Sequence, residues 1–247
     1  MRKIQRLLLS PATQNALQGK QASVNQKRLL PGFSASQEWK KSRKLPSLLT
    51  VLKVLNKMAG KRERCMYCED SHGSDIEHFW PKTPYPQRMF LWENLLLCCT
   101  ECGRIKGEVF PLDATGSPLL IDPAKDNPWD FLEFDSQTGN ITAKYDLQIN
   151  GFCPKGENTV SILHLNCREA MASSYLRSLK RIKNLLSPFL VESTCTPEAK
   201  ALIKNLRLAD ENGLLEWCFK YSGKEETPFN EFISKYPSVA QAITEKL

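Results

Sequence analysis

Four cysteines in two CxxC pairs are the residues whose spacing most directly predicts chemistry. Cys65 and Cys68 form the first pair, and Cys99 and Cys102 form the second. A gap of two residues lets one tight turn present both sulfurs to the same cation, and two such turns complete a tetrahedral four-sulfur zinc site. That site has no open position for a catalytic water. We therefore predict a structural zinc ion, against the alternative of four buried cysteines without a metal.

An acid and a histidine lie between the two pairs. A closed sulfur shell leaves the chemistry to nearby side chains, and Glu77 and His78 belong to the segment that the zinc would clamp. Cys98 stands beside the second pair and could substitute as a ligand. Because Cys99 keeps the two-residue gap to Cys102, we expect Cys98 to face the core instead.

The basic charge is concentrated at one end of the chain. Residues 1–64 contain 15 Lys and Arg but two acidic residues, whereas the remainder contains 19 basic and 25 acidic residues. This asymmetry predicts a basic arm that contacts a phosphate backbone or docks to an acidic partner. The alternative is a solvated, partly disordered leader. Trp39 and Phe33 adjoin the densest cluster and could stack on bases or pack on the body. That cluster consists of Lys40, Lys41, Arg43 and Lys44.

Length and composition favour a soluble globular protein over a secreted or membrane-spanning one. The 247 residues are enough for one compound domain, or for a small domain within a larger one. Nine cysteines, an odd number, do not suit a secreted disulfide framework, and the first apolar run is too short for a signal peptide. No run approaches the roughly 18 apolar residues of a membrane-spanning helix. We expect a soluble cytoplasmic protein without a membrane partner.

Hydrophobic periodicity predicts an α+β, mainly α-helical fold. We expect a short helix over 11–18 with irregular chain to residue 36, and a helix over 46–58 that Gly60 ends. Around the cysteines, strands over 75–79 and 95–97 and a helix from about Cys99 give a strand–strand–helix order. The predicted segments are a basic arm with its helix over 1–60, a zinc-stapled core over 61–115, an irregular connector over 116–157 and a helical region over 158–247.

The second half of the chain changes from turns to helices. Turn signals separate short strands over 131–134 and 141–143. Apolar residues from Ile162 to Leu186 predict one long or broken helix that ends at Pro188. A second helix is predicted to begin at Thr196-Pro197-Glu198 and to run towards Trp217, and a last short helix follows Pro228.

Three segments around the cysteines resemble the HNH endonucleases, also called His-Me finger or ββα-metal nucleases. These segments are Asp75 to Pro81, Trp92 to Leu97 and Cys99 to Gly107. The resemblance implies a ββα HNH core in which His78 is the general base and Glu77, with Asp75, holds a catalytic Mg²⁺ or Mn²⁺ ion. It also implies that Asn94 orients the histidine-bearing strand and that nearby basic residues contact phosphate. The basic candidates are Lys82, Arg104 and Lys106.

One position departs from the HNH pattern. After the second CxxC pair, the family usually places His or Asn as a further metal ligand, whereas this chain has Gly103. Glu101, Asp75, Asp70 or water could supply the missing oxygen. Alternatively, RNA carries its own nucleophile in the 2′-hydroxyl, so His78 and a basic side chain could suffice without a catalytic cation. RNA, including tRNA, is therefore a substrate hypothesis alongside DNA.

Residues in and around these segments point to one subgroup of the HNH endonucleases. Five segments are similar to the HNH subunit of Septu-type and retron-associated antiphage systems. They are Glu77 to Lys82, Lys106 to Leu112, Leu119 to Pro123, Asp126 to Pro128 and Leu163 to Asn166. That resemblance implies an ABC or SMC-like ATPase as partner and, in retron versions, a reverse transcriptase with its single-stranded DNA. The alternative is a catalytically inactive zinc-knuckle subunit that binds nucleic acid or serves as an adaptor.

Overall fold

The computed structural model describes residues 1–191 and 198–245. They form two compact units, one of residues 3–126 and the other of residues 1–2 with the described residues from 127 onward. Helices predominate and the strands are short, in agreement with a mainly helical fold. The four predicted segments stay a prediction, although the two units separate within the predicted connector, 116–157.

The N-terminal segment is more helical than the sequence predicts. Helix α1 spans Pro11–Lys27 and α2 spans Ala35–Ser42. The expected short helix followed by irregular chain is wrong because a polar composition hides a buried stripe at helical spacing. The stripe consists of Leu17, Gln21 and Val24. Ile4 and Leu9 are also buried, so this segment packs onto its unit and is not a solvated leader.

Helix α3 spans Pro46–Ala59 and confirms the prediction for this region. Pro46 occupies the first turn, where a missing N–H costs nothing, and Gly60 ends the helix with φ 80°. The face that α3 buries presents Leu48, Val51 and Leu55. The helix leads directly to the first cysteine pair.

A two-stranded sheet and one helix form the predicted strand–strand–helix order. Strand β1 spans Asp75–His78 and pairs antiparallel with β2, Leu95–Cys98, so that His78 lies opposite Leu95. All four residues of β2 are buried. Helix α4, Thr100–Lys106, follows at once and ends at Gly107, where φ is 49°. The register therefore carries the histidine to the end of the sheet that is farthest from the second cysteine pair.

The unit that contains the chain beyond residue 127 begins with two hairpins. Strands β3, Leu132–Phe134, and β4, Ile141–Ala143, pair antiparallel and confirm the predicted strands. The pairing of β5, Tyr145–Asp146, with β6, Gly151–Phe152, has no counterpart in the prediction.

The next two helices match the broken form of the predicted long or broken helix, but the second one ends later than predicted. Helix α5, Pro154–Leu163, ends at His164 in a left-handed conformation, so the predicted long helix is broken there. Helix α6, Glu169–Val191, continues past Pro188, where a helix end was predicted. A proline in the last turn removes one hydrogen bond, which a well-packed helix tolerates.

The C-terminal helices are more numerous than predicted. The helix predicted to run towards Trp217 is divided into α7, Ala199–Ala209, and α8, Leu215–Lys220. Between them, the Asp210 side chain accepts a hydrogen bond from the Leu214 N–H. The predicted start at Thr196 and Pro197 lies outside the described residues. The last helices are α9, Phe229–Lys235, and α10, Pro237–Thr244. Across the described chain, no helix has both the length and the apolar character needed to cross a membrane.

Candidate zinc centre and histidine site

The four predicted cysteines converge. The Sγ atoms of Cys65, Cys68, Cys99 and Cys102 all lie within 4.8 Å of one another, and all four residues are buried. A tetrahedral zinc ion with Zn–S bonds of about 2.3 Å places its sulfurs about 3.8 Å apart. The donor set and its spacing therefore fit a structural zinc site.

The local backbone explains how two distant pairs meet. Cys99 caps the N-terminus of α4, and its Sγ accepts a hydrogen bond from the Cys102 N–H at 3.4 Å. Cys65 and Cys68 lie on a turn that begins where the Cys65 N–H donates to the Ser71 carbonyl. Hydrogen bonds from Cys102 and Cys65 lower the pKa of Cys68 to about 7, whereas burial raises the pKa of Cys65.

Cys98 is buried beside this cluster without belonging to it. Its Sγ donates to the Cys99 carbonyl oxygen at 3.2 Å and lies 3.9 Å from the Cys65 Sγ. Its position agrees with the expectation that it faces the core.

His78 is held as a neutral imidazole. Its Nε2 lies 3.1 Å from the carbonyl oxygen of Met89. Because a carbonyl oxygen can only accept, Nε2 carries the hydrogen and Nδ1 keeps its lone pair. Burial lowers the pKa of His78 to about 3, and the positive charges of Lys82 and Lys106 act in the same direction. One ring nitrogen is therefore hydrogen-bonded to the backbone, and the other has a lone pair that could accept a proton.

Asn94 ties together the loop that precedes the second strand. Its Oδ1 accepts from the Trp80 N–H at 2.7 Å, and its Nδ2 donates to the carbonyl oxygens of Trp80 and Arg88 at 3.1 and 2.9 Å. Asn94 is buried. The side chain thus bonds to both ends of residues 80–88, the segment that directly precedes Met89, whose carbonyl anchors His78.

Glu77 and Lys106 form a buried ion pair. The Lys106 Nζ donates to the Glu77 Oε1 and to the His78 carbonyl oxygen, each at 2.8 Å, and the lysine side chain is 0% exposed. Burial raises the pKa of Glu77, while the two nearby lysines, Lys106 and Lys82, oppose that shift. In this arrangement Lys106 faces Glu77 and has no exposed surface for a phosphate.

The other predicted site residues lie at the surface of this region. Lys82 is half-buried and close enough to act on the pKa values of both Glu77 and His78. Arg104 is exposed on α4. Asp75 is exposed at the start of β1, where its Oδ2 accepts hydrogen bonds from Thr100 and Ser74 at 3.2 and 3.3 Å.

The residues of the predicted Mg²⁺ or Mn²⁺ site fit such an ion poorly. Within residues 1–191 and 198–245, the cysteine cluster is the one group of three or more Cys, His, Asp or Glu residues whose ligand atoms converge. Glu77 belongs to no such group, and Gly103 offers no side-chain donor beside it. Divalent magnesium prefers several oxygen ligands in octahedral geometry.

An aromatic ring that the sequence leaves unassigned covers His78. The ring centroids of Trp39 and His78 are 4.4 Å apart in an edge-to-face arrangement, and Trp39 also contacts Phe90 at 5.6 Å. His78 is 3% exposed as a result of its packing. Of the two alternatives for Trp39, stacking on bases or packing on the body, this structure has the second.

Gln21 is a second residue that sequence reasoning misses. Its Oε1 accepts from the Phe90 N–H at 2.7 Å, and its Nε2 donates to the Pro86 carbonyl oxygen at 3.1 Å. Helix α1 thereby holds the loop whose Met89 carbonyl anchors His78. A polar residue at a buried position of the helical stripe was the available signal.

These features define a class of site: a strand–strand–helix element beside a four-cysteine cluster, with a buried, neutral histidine at the end of its first strand. No protein-family profile matches the chain. The chain is similar to the Septu protein PtuB of Bacillus thuringiensis, at 33% identity over 108 residues. The match covers 42% of this chain and 37% of that protein, so the chain spans less than two-fifths of the curated relative's length.

Proposed function

We propose that this protein is an HNH-type endonuclease that cleaves phosphodiester bonds of nucleic acid, either DNA or RNA such as tRNA. The observation that carries the proposal is His78, whose Nε2 is anchored on the Met89 carbonyl while Nδ1 keeps its lone pair. An oriented, unprotonated imidazole next to lysines suits proton abstraction beside an anionic substrate. The ββα core and its catalytic residues, His78, Glu77 and Asn94, belong to the same proposal.

The chemistry assigns one task to each group. His78 Nδ1 takes the proton of the attacking hydroxyl, which belongs to water for DNA and to the ribose 2′-OH for RNA. The oxygen bonds to phosphorus, the phosphorus–oxygen bond to the leaving group breaks, and the leaving oxygen takes a proton from solvent. Lys82, half-buried beside His78, and Arg104 contact the phosphate charge. Asn94 holds the loop that anchors His78.

The proposed zinc ion is structural. Held by the four cysteines, it would join the turn before β1 to the start of α4 and so fix the two strands between them. Because its shell is closed, no proton transfer or phosphate contact is assigned to it.

A role in antiphage defence is supported by the printed name of the relative, a Septu protein. We propose that the chain acts in the cytoplasm as the effector subunit of such a defence complex. The partner proposed from the sequence resemblance is an ABC or SMC-like ATPase, with a reverse transcriptase and its single-stranded DNA in a retron version.

Cleavage assays with a His78→Ala control test the nuclease. Zinc-loaded protein, alone and with the co-encoded ATPase, is incubated with labelled duplex DNA, single-stranded DNA and total tRNA, with and without added Mg²⁺ or Mn²⁺. We expect cleavage of at least one substrate by the wild type and a loss of at least a hundredfold in the variant, as general acid–base catalysis contributes about 10²–10⁴-fold. Cleavage that survives in His78→Ala would contradict the assignment.

A second candidate is a zinc-knuckle subunit that binds nucleic acid or its partner without cleaving. Two observations favour it: Gly103 lacks a ligand side chain, and Trp39 covers His78. This candidate predicts that nucleic-acid binding, measured by fluorescence anisotropy, is equal in the wild type and His78→Ala while neither protein cleaves any substrate.

A further inference from the structure

Lys106 carries a positive charge in a place that water does not reach. Its side chain is 0% exposed, and the ammonium is balanced by the Glu77 carboxylate and the His78 carbonyl oxygen, both at 2.8 Å. A buried ammonium needs such compensation to remain charged. The contact joins α4 to β1 at the residue that carries the imidazole.

Gly103 lies one helical turn before Lys106 and faces the same carboxylate. A Cβ atom at this position would lie 3.5 Å from the Glu77 Oε2 and 3.8 Å from the Cys98 Sγ, which is ordinary van der Waals contact. The φ angle of Gly103 is not in the left-handed region. Neither space nor backbone conformation therefore requires glycine, yet the position offers no donor atom.

The two oxygens of Glu77 thus face the same helix in different ways. Oε1 binds the Lys106 ammonium, and Oε2 faces the place where a ligand side chain at position 103 would be. A carboxylate neutralised by an ammonium attracts a divalent cation weakly, and Lys82 adds a further positive charge to the same surroundings. Asp75, the other predicted ligand, bonds to Thr100 and Ser74.

We propose that Lys106, and not the Mg²⁺ or Mn²⁺ ion that the HNH resemblance implies, is the cation that balances the Glu77 carboxylate, so that Glu77 is the partner of Lys106 and not a metal ligand. Lys106 is then a positioning residue: by bonding to Glu77 and to the His78 carbonyl, it holds the histidine on β1 without a resident Mg²⁺ or Mn²⁺ ion. A role of this ion pair in cleavage rests on the proposed function. The replacement of a cation at Glu77 by Lys106 does not.

Electron paramagnetic resonance of free Mn²⁺ measures the binding directly. Zinc-loaded wild type and Glu77→Gln are titrated with Mn²⁺, with the zinc content checked before and after. We expect identical titrations, because Glu77 is occupied by Lys106. One equivalent of bound Mn²⁺ in the wild type that is lost in Glu77→Gln would overturn the proposal, and this comparison does not depend on any variant of Lys106.

A double variant tests the role of Lys106 itself. Gly103→Asn combined with Lys106→Gln restores a donor and frees the carboxylate, and we expect it to gain one equivalent of Mn²⁺ if its circular dichroism is that of the wild type. Gly103→Asn with Arg104→Gln is the matched control, since it removes an exposed positive charge from α4 but leaves the ion pair. An equal gain of Mn²⁺ in the control would contradict the proposal.

The cleavage assay is a separate readout. His78-dependent cleavage that is unchanged without added divalent ions agrees with the proposal, and an absolute requirement for Mg²⁺ or Mn²⁺ overturns it. Absence of cleavage in every condition would remove the proposed nuclease function, while the Mn²⁺ titrations would still decide whether Lys106 replaces the cation.

Discussion

His78 meets one requirement of a general base in this structure, a fixed tautomer, but not the other, a pKa near neutral pH. Its tautomer is fixed by the Met89 carbonyl, but burial lowers its pKa to about 3, well below the range in which a base works best near neutral pH. A phosphate anion or water at Nδ1 would raise that pKa. The proposed cleavage therefore requires that Trp39 move away from the imidazole and admit the substrate.

The first prediction at this scale is that Trp39 shields His78 from reagents. In Trp39→Ala, we expect diethylpyrocarbonate to modify His78 severalfold faster than in the wild type, because the ring 4.4 Å away is removed. Peptide mass spectrometry gives the rate for each histidine. The exposed His72 and His164 are internal controls whose rates should not change. Equal rates for His78 in both proteins would show that other groups exclude the reagent.

Asn94 provides a second prediction. Asn94→Ala leaves the Trp80 N–H and the carbonyls of Trp80 and Arg88 without their partner, so we expect the free energy of unfolding to fall by about 2–4 kcal/mol. Urea denaturation gives the value, and cleavage should decrease without vanishing. Asn94→Asp is the matched variant, since it keeps the acceptor for Trp80 but loses both donors; wild-type stability in that variant would contradict the assignment.

The sequence predicts the positions and contacts of some site residues and not of others. The convergence of the four cysteines follows from their own spacing, because CxxC turns present sulfurs locally. Trp39 and Gln21 touch the loop around Met89 across long stretches of chain, and no local pattern encodes those contacts. Lys106 was predicted to contact phosphate, which requires an exposed ammonium. Its burial depends on the Glu77 carboxylate, which only the fold brings near.

At the scale of elements, zinc should hold β1, β2 and α4 together. Cys65→Ser or Cys102→Ser is expected to abolish stoichiometric zinc and to unfold this region, because structural zinc contributes on the order of 10 kcal/mol to small domains. Elemental analysis and thermal unfolding measure the two effects. Cys167→Ser, which replaces an exposed cysteine, should change neither. If zinc-free wild-type protein had the same melting curve as the zinc-loaded protein, the four cysteines would not hold a structural zinc ion.

The elements near the cysteines were predicted well for a physical reason. Strands β1 and β2 and helices α3 and α4 each carry their own signal, such as the apolar run of β2, Pro46 at a first turn or the cysteine that caps α4. Helix α1 has a weak apolar face and a buried glutamine, so its extent depends on the loop it packs against. The same holds for the break between α7 and α8, where the Asp210 side chain accepts a hydrogen bond from the Leu214 N–H.

For the whole molecule, the depressed pKa of His78 predicts a dependence of stability on pH. The unfolded chain binds the proton near the ordinary value of 6.5 and the folded chain near 3. The contribution of His78 to stability is therefore present above pH 6.5 and is lost progressively as the pH falls towards 3. The slope from this residue is at most about 1.4 kcal/mol per pH unit.

Comparison with a variant isolates this contribution from other acid-labile groups. Between pH 6.5 and about 4, urea unfolding of His78→Asn should show a shallower fall in stability than the wild type. Both proteins keep the cysteine cluster, so zinc loss affects them alike. His72→Asn, which removes an exposed histidine, is the control. Parallel curves for His78→Asn and wild type would mean that the imidazole is protonated in the folded protein.

The contact of Trp39 with His78 also bears on measured affinities. Trp39 lies on α2, and the next two residues of that helix, Lys40 and Lys41, are both basic and exposed. A polyanion that binds the uncovered form better than the covered form shifts the population towards uncovering, and its apparent dissociation constant is the intrinsic one divided by the uncovered fraction. Weak binding by the isolated chain would then reflect a small population of the uncovered form. A partner that stabilises this form would increase both the affinity for the polyanion and the rate of turnover.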